Sequence, residues 1–222
     1  MPMLRAMQLI QQNPDVLAYL ASDEAIDHWH PLVLETAEAL WSTTGEAYSY
    51  AEAAFEFVRD TIAHSADSGD PRVTWKASDV LGTRNGICHA KSHALVALLR
   101  AQGLPAALCY QRLADDDGSN PLIHGLIALR LPGGERWSRL DPRGNKPGVD
   151  ARFDLAEERL AFPVRPELGE VDHPELYAAP HPAVLTALRE SADRQELWRR
   201  LPTALPASAA GTGLDVMTNR AL

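Results

Sequence analysis

Thr83-Arg84-Asn85-Gly86-Ile87-Cys88-His89-Ala90-Lys91-Ser92-His93 runs straight into Ala94-Leu95-Val96-Ala97-Leu98-Leu99-Arg100-Ala101-Gln102-Gly103-Leu104-Pro105, and the reading of this stretch decides the fold. Asn85-Gly86 is a turn dipeptide, the apolar residues after it recur at helical spacing, and Gly103 with Pro105 supplies a stop. A helix is therefore expected to open at Cys88. A thiol at that point faces the positive end of the helix dipole and the unpaired amides of the first turn, which favour the nucleophilic thiolate. The same amides can hold an oxyanion. The alternative is a small cysteine packed inertly beneath the helix.

The rest of the composition narrows the setting in which such a thiol would work. With 222 residues the chain is long enough to bury a core as one domain. A formal net charge of −9, without any Lys/Arg-rich run, argues against a nucleic-acid footprint. No apolar run near Met1 to Ile10 is long enough for a signal peptide or a membrane span, and two cysteines make no disulfide framework. The expectation is a cytoplasmic, reduced protein without membrane or nucleic-acid partners, in which a low-pKa cysteine can persist. Oligomeric state is not legible.

Upstream of the cysteine the chain reads as helical. Asn13-Pro14-Asp15 has the form of an N-cap, an N1 proline and a first-turn acid, opening a short helix through Val16, Leu17, Tyr19 and Leu20. A second helix is expected over about 31–41, with Leu32, Leu34, Ala37 and Leu40 inward. A third is expected over about 49–63, with Ala53, Ala54, Phe57, Val58 and Ile62 as its stripe. His28 and His30 invite a metal reading, but an i, i+2 pair without a nearby third ligand falls short of a zinc site. His64, at the start of a polar loop, is a second-ranked candidate base. Residues 76–81 read as a short helix ending near Gly82.

Inside the cysteine helix His89 and His93 share a face at i, i+4, but Ala90 stands where a zinc-helix motif needs its glutamate, so solvated or loop-contacting histidines are expected. No metal or cofactor is expected. Downstream, 106–113 reads as a strand, 115–121 as a solvated acidic loop too short for calcium, 122–131 as a strand and 136–141 as its return. Folding that hairpin about Gly133-Gly134 sets Leu126 opposite Asp141 and His124 opposite Arg143. His124 and Asp141 then share one face as diagonal neighbours, roughly 7 to 8 Å apart. A carboxylate so placed can orient an imidazole, completing a nucleophile, base and orienter set with Cys88. Separately, His124 reads as a strand histidine satisfied by backbone, and Asp141 as the acid opening the Asp141-Pro142-Arg143-Gly144 turn. Cys109 falls on a strand without a basic sequence neighbour and is expected to be inert.

Taken in order, Gly86-Ile87-Cys88, Leu98-Leu99-Arg100-Ala101-Gln102-Gly103-Leu104-Pro105-Ala106, His124-Gly125 and Trp137-Ser138-Arg139-Leu140-Asp141 resemble the transglutaminase-like superfamily of papain-fold cysteine enzymes. Ala77-Ser78-Asp79-Val80-Leu81, Ala90-Lys91-Ser92-His93, Tyr110-Gln111-Arg112-Leu113 and Arg143-Gly144-Asn145-Lys146 are similar to a bacterial, cysteine-protease-like branch of it. The resemblance covers about 49–148. It implies that Cys88 is the nucleophile, His124 the base and Asp141 the orienter. Two departures stand out: Leu126 replaces a tryptophan common two residues after the histidine, and Gly82 replaces the glutamine that papain-type enzymes place six residues before the cysteine. The oxyanion partner is therefore unassigned, with Trp75, Asn85 and His89 as candidates by nearness; Trp75 also reads as a packed aromatic.

Beyond 148, Phe162-Pro163-Val164-Arg165-Pro166 is an extended segment able to lie against the site, 170–181 reads as a polar loop, and a helix is expected over about 182–199. The expected layout is an N-terminal helical segment (1–48), a catalytic core (49–148), an extension packed on it (149–201) and a flexible tail (202–222). The fold class is α+β: N-terminal helices and a central cysteine helix against an antiparallel sheet. The expected activity is acyl transfer through a thioester on Cys88. Peptide or isopeptide hydrolysis comes first, protein crosslinking second, and a non-catalytic binding module on the same fold third.

Overall fold

The structure, a computed structural model, describes residues 7–205. A two-residue strand, β1 (Ile10–Gln11), and a 3-10 turn (Val16–Leu20) lead into α1 (Pro31–Thr44) and α2 (Ala47–Thr61). The short elements β2 (Ala63–His64), α3 (Ser65–Ser68), α4 (Ala77–Thr83) and β3 (Asn85–Gly86) then deliver the chain to α5 (Cys88–Ala101). The remaining elements are β4 (Ala106–Leu113), β5 (Leu122–Leu129), β6 (Ser138–Leu140), β7 (Val171–Asp172), β8 (Glu175–Leu176), α6 (Pro182–Glu190) and α7 (Arg194–Arg200). The main sheet is antiparallel in the order β6-β5-β4-β7. Among the described residues no helix is long and apolar enough to cross a membrane.

Helix α5 has no solvent face: every residue from Cys88 to Arg100 is buried, with α1, α2 and α4 on one side and β4 and β5 on the other. Leu95, Leu98 and Leu99 join Phe55, Val58, Ile123, Ile127 and Leu140 in one core cluster. A helix so enclosed must satisfy its polar side chains internally, because an unpaired buried group costs about 1–3 kcal/mol. Lys91 accordingly donates Nζ to the carbonyls of Ile62 (2.5 Å) and Arg59 (3.1 Å). Arg100, beyond complementing the dipole, donates to the carbonyls of Ala21, Ala106 and Ala178. His89 and His93 are buried rather than solvated: His93 Nδ1 bonds the Trp75 carbonyl at 2.7 Å and His89 Nε2 the Ile123 carbonyl at 2.9 Å.

The turn before α5 differs from the sequence expectation. Asn85-Gly86 is not the turn; it is β3, paired parallel with β2 so that His64 stands opposite Gly86. Arg84 makes the reversal instead, in the left-handed region at φ 53°. The predicted hairpin register holds where β5 and β6 pair, with Ile127 opposite Leu140 and Ala128 opposite Arg139. Pairing stops at Leu140, so Asp141 lies one residue past the strand.

Several outer elements also shift. Asp15, not Asn13, caps the first turn, since its Oδ1 accepts from Leu17 N while Asn13 accepts from Asp15 N. The inward face of α2 is Tyr50, Ala51, Ala54, Phe55 and Val58, rotated from the predicted stripe because Tyr50 reaches the Leu98 carbonyl at 2.6 Å. On α1, Val33 and Ala37 are buried, whereas Leu34 is exposed. The 170–181 loop contains β7, which pairs with β4, and β8, which pairs with β1. The 182–199 helix breaks at Ser191, and Asp193 caps the second piece. Of the predicted tail, Pro202 and Thr203 are tied by their carbonyls to Ile123 N and Arg112 Nε; residues 206–222 lie outside those described.

Candidate active site

Cys88 is the first residue of α5, 7 % exposed, and no side chain caps the helix, so the amides of its first turn point toward the thiol's side of the site. His124 comes from β5, lines the same cleft as Cys88, and its charge acts on the thiol. Its Nε2 bonds Oδ2 of Asp141 at 2.8 Å, which leaves Nδ1 for the sulfur. Asp141 is fully buried and held from three sides: Arg143 N donates to Oδ1, Ala161 N and His124 to Oδ2. The Phe162 ring stands edge-on to His124 at 5.5 Å, so the extended segment at 162–166 does lie on the site.

Helix and strand are brought together by Gly125. A Cβ there would lie 2.3 Å from Nδ1 of His89 and 3.1 Å from its Cα, distances real side chains do not tolerate. The absence of a side chain after His124 thus lets the N-terminal turn of α5 close on β5, and sets Cys88 beside His124.

The electrostatics favour an ion pair. Burial pushes the Cys88 thiol up, but the fields of the flanking His89 and His124 rings and hydrogen bonds with His124 and His64 outweigh it and hold the thiol well below its ordinary value. His89 is itself pushed down by burial, so it is neutral. The positive charge belongs to His124. Burial disfavours that charge too, yet Asp141 and the thiolate raise the His124 ring to about 10. Burial likewise opposes ionisation of Asp141, and the His124 charge with its hydrogen bonds reverses this, holding the carboxyl below the usual range.

Cys88, His64, His124, Arg143 and Phe162 line a cleft of about 680 Å³ whose outer walls include Leu113, Leu122 and Trp198. His64 therefore stands with Cys88 and His124, closer to the chemistry than the sequence suggests; its strand, at two residues, is too short to show there as anything but loop. Trp75 and Asn85, candidates by nearness, do not line this cleft. Trp75 packs against the core with Lys76 and Arg189 over its ring. Asn85 is 2 % exposed beside a separate surface hollow with Arg72 and Arg84. His89 lies beneath the site, against Gly125. His28 packs on Trp29 at 4.5 Å and His30 caps α1 through Nδ1. No group of three or more His, Cys, Asp or Glu side chains among the described residues is arranged to hold a metal. Cys109 is buried in a second cluster with Leu126 and Trp137, its thiol pushed up by burial.

Residues 35–142 match the family model of the transglutaminase-like superfamily. Two solved structures are similar. One is from Cytophaga hutchinsonii, called a "putative cysteine protease": 19% identical, TM-score 0.46, with 59% of this chain covered and 43% of the other. The second is red sea bream transglutaminase: 14% identical, TM-score 0.36, with 56% of this chain covered and 27% of the other. The match thus spans less than half the length of either structure. Among curated proteins nothing matches the chain in sequence.

Proposed function

We propose that this chain, whose residues 35–142 match the family model of the transglutaminase-like superfamily, is a thiol enzyme that opens amide bonds of a peptide or protein through a thioester on Cys88. The observation that carries the reading is the buried His124–Asp141 pair at 2.8 Å with the thiol of Cys88 against the same imidazole.

In this mechanism the Cys88 thiolate attacks the amide carbonyl, forming the S–C bond, and the carbonyl electrons move onto oxygen. Amides of the first turn of α5 stabilise that charge. The tetrahedral species collapses as the C–N bond breaks, and the His124 imidazolium gives its proton to the departing amine. Neutral His124 then takes a proton from an incoming water, which displaces the thiolate and releases the acid. Asp141 fixes the ring so that Nδ1 faces sulfur, and favours the imidazolium without itself taking the proton. Water is the acceptor we assign; an amine reaching the same thioester would turn the reaction into transfer.

The test is a library of peptides and isopeptides, incubated with and without a primary amine and analysed by mass spectrometry. New carboxyl termini that depend on Cys88 support hydrolysis. Amine adducts in place of acids would make the chain a transferase, and turnover equal in Cys88→Ala would end the thiol reading.

A further inference from the structure

The cleft holds a second imidazole that the mechanism above does not use. His64 sits on β2, which is locked beside the residues that precede Cys88: Ala63 N donates to the Arg84 carbonyl at 2.9 Å, and His64 pairs with Gly86. Lys91, one turn into α5, holds the carbonyl of Ile62 at 2.5 Å and so fixes the strand from behind. The His64 ring lines the same cleft as the Cys88 thiol and is close enough for each to act on the other's ionisation. Its Nδ1 is sealed from solvent without a hydrogen-bond partner, 3.9 Å from Oδ2 of Asp67. Nε2 is the nitrogen left to face the thiol and the cleft.

His64 differs from His124 in what lies behind it. The Asp67 carboxylate is already engaged by Arg143 at both oxygens and by Lys146 at 2.8 Å, so it does not back the His64 ring as Asp141 backs His124. Burial, with Arg143 nearby, pushes the His64 ring down, so it stays neutral beside the cationic His124. A neutral imidazole carries one N–H and can polarise a carbonyl without giving up its proton. The cationic donors on that wall are committed, Arg143 and Lys146 to Asp67 and Arg165 to Glu170 and Asp116. The position where papain-type enzymes keep a glutamine donor is Gly82, inside α4 and turned toward Leu32.

We propose that His64 donates its Nε2–H to the substrate carbonyl oxygen as Cys88 attacks, forming the side-chain half of an oxyanion hole whose backbone half is the first turn of α5. The proposal rests on the thiol-enzyme reading. The S–C bond forms, the C=O π electrons pass to oxygen, and His64 shares its hydrogen with that oxygen without transferring it. When the intermediate collapses the electrons return and His64 is unchanged.

Two small reagents separate this role from any effect on the thiolate. Iodoacetamide alkylates sulfur by displacement without developing an oxyanion, whereas p-nitrophenyl acetate acylates it through one. In His64→Ala, acylation should fall by roughly 10², while alkylation of Cys88, which loses one hydrogen bond to the thiolate but keeps the charge of His124, should fall about tenfold less than acylation does. His64→Gln, which keeps an N–H in reach, should recover at least a tenth of the lost acylation rate; Cys88→Ala supplies the background and a thermal melt the check on folding. Equal loss in both reactions would make His64 a support of the thiolate and overturn the proposal, as would unchanged acylation or a glutamine variant no better than alanine. Failure of wild-type Cys88 to react with either reagent at neutral pH would instead sink the thiol-enzyme reading itself.

Discussion

Replacing Gly125 with alanine adds a single methyl group at the point where α5 and β5 approach most closely. That carbon would stand 2.3 Å from Nδ1 and 3.1 Å from both Cα and Cε1 of His89. The ring cannot swing aside freely, because Nε2 is bound to the Ile123 carbonyl at 2.9 Å, and the backbone of His89 stays in the way wherever the ring goes. Ordinary contact requires close to 1 Å of extra separation, and over-packing of this kind costs about 1–3 kcal/mol. For a chain of this size the melting temperature should drop by roughly 3–10 °C. The same displacement withdraws Cys88 from His124, and a misplacement of about 1 Å near a reacting centre costs on the order of 10²-fold in rate. The assay is a thermal melt alongside turnover or acylation of Cys88. His89→Ala should relieve most of the clash, so Gly125→Ala/His89→Ala should be more stable than the sum of the single losses predicts. A Gly125→Ala protein with the wild-type melt and rate, or strict additivity in the double variant, would refute the packing argument.

Cys88→Ala should abolish turnover and His124→Ala approach that loss, the two combining far from multiplicatively because they act as one unit; turnover of single and double variants measures this. Asp141→Asn should hurt activity less than either, since the amide still meets the ring, but it should lower stability by about 1–3 kcal/mol because one donor replaces an oxygen that accepts from backbone or ring. Burial lowers Lys91 from the ordinary 10.5 to about 7, so between those pH values the unfolded chain binds a proton that the folded chain has shed. The Lys91 contribution to stability should therefore rise with pH across that window, by about 5 kcal/mol, against the loss that His124, raised to about 10, contributes there. Urea melts at its two ends should show wild type gaining stability relative to Lys91→Met as pH rises; an unchanged difference would contradict the assignment. Cys109 should resist native-state alkylation while Cys88 reacts, read by peptide mass mapping.

What could be read in advance divides along physical lines. The start of α5 and the strand at 106–113 were legible because strong local signals, a stop at Gly103-Leu104-Pro105 and β-rich runs, agreed with the tertiary outcome. The β5–β6 register is the one that folding about Gly133-Gly134 predicts, although the paired strands stop at Leu129 and Ser138 and a longer connection joins them. Burial of His89, Lys91, His93 and Arg100 was not legible, because a helix enclosed on all sides shows no polar face and each side chain is satisfied by a carbonyl distant in sequence. The same holds for His64. Its place depends on a two-residue parallel pairing with β3, and a ladder that short leaves no periodicity to read. Asn85-Gly86 misled for a related reason: the dipeptide favours a turn, yet tertiary pairing made it a strand and moved the left-handed residue to Arg84.

The claim on which the account turns is that Cys88 is held as a thiolate against a protonated His124. Its most direct test is the pH dependence of Cys88 alkylation by iodoacetamide in the intact protein, followed by mass spectrometry, with His124→Ala alongside. The account predicts alkylation that persists well below neutral pH in wild type and moves toward the ordinary thiol value of about 8.5 in the variant. Alkylation of wild-type Cys88 that appears only near that ordinary value, unmoved by His124→Ala, would contradict it.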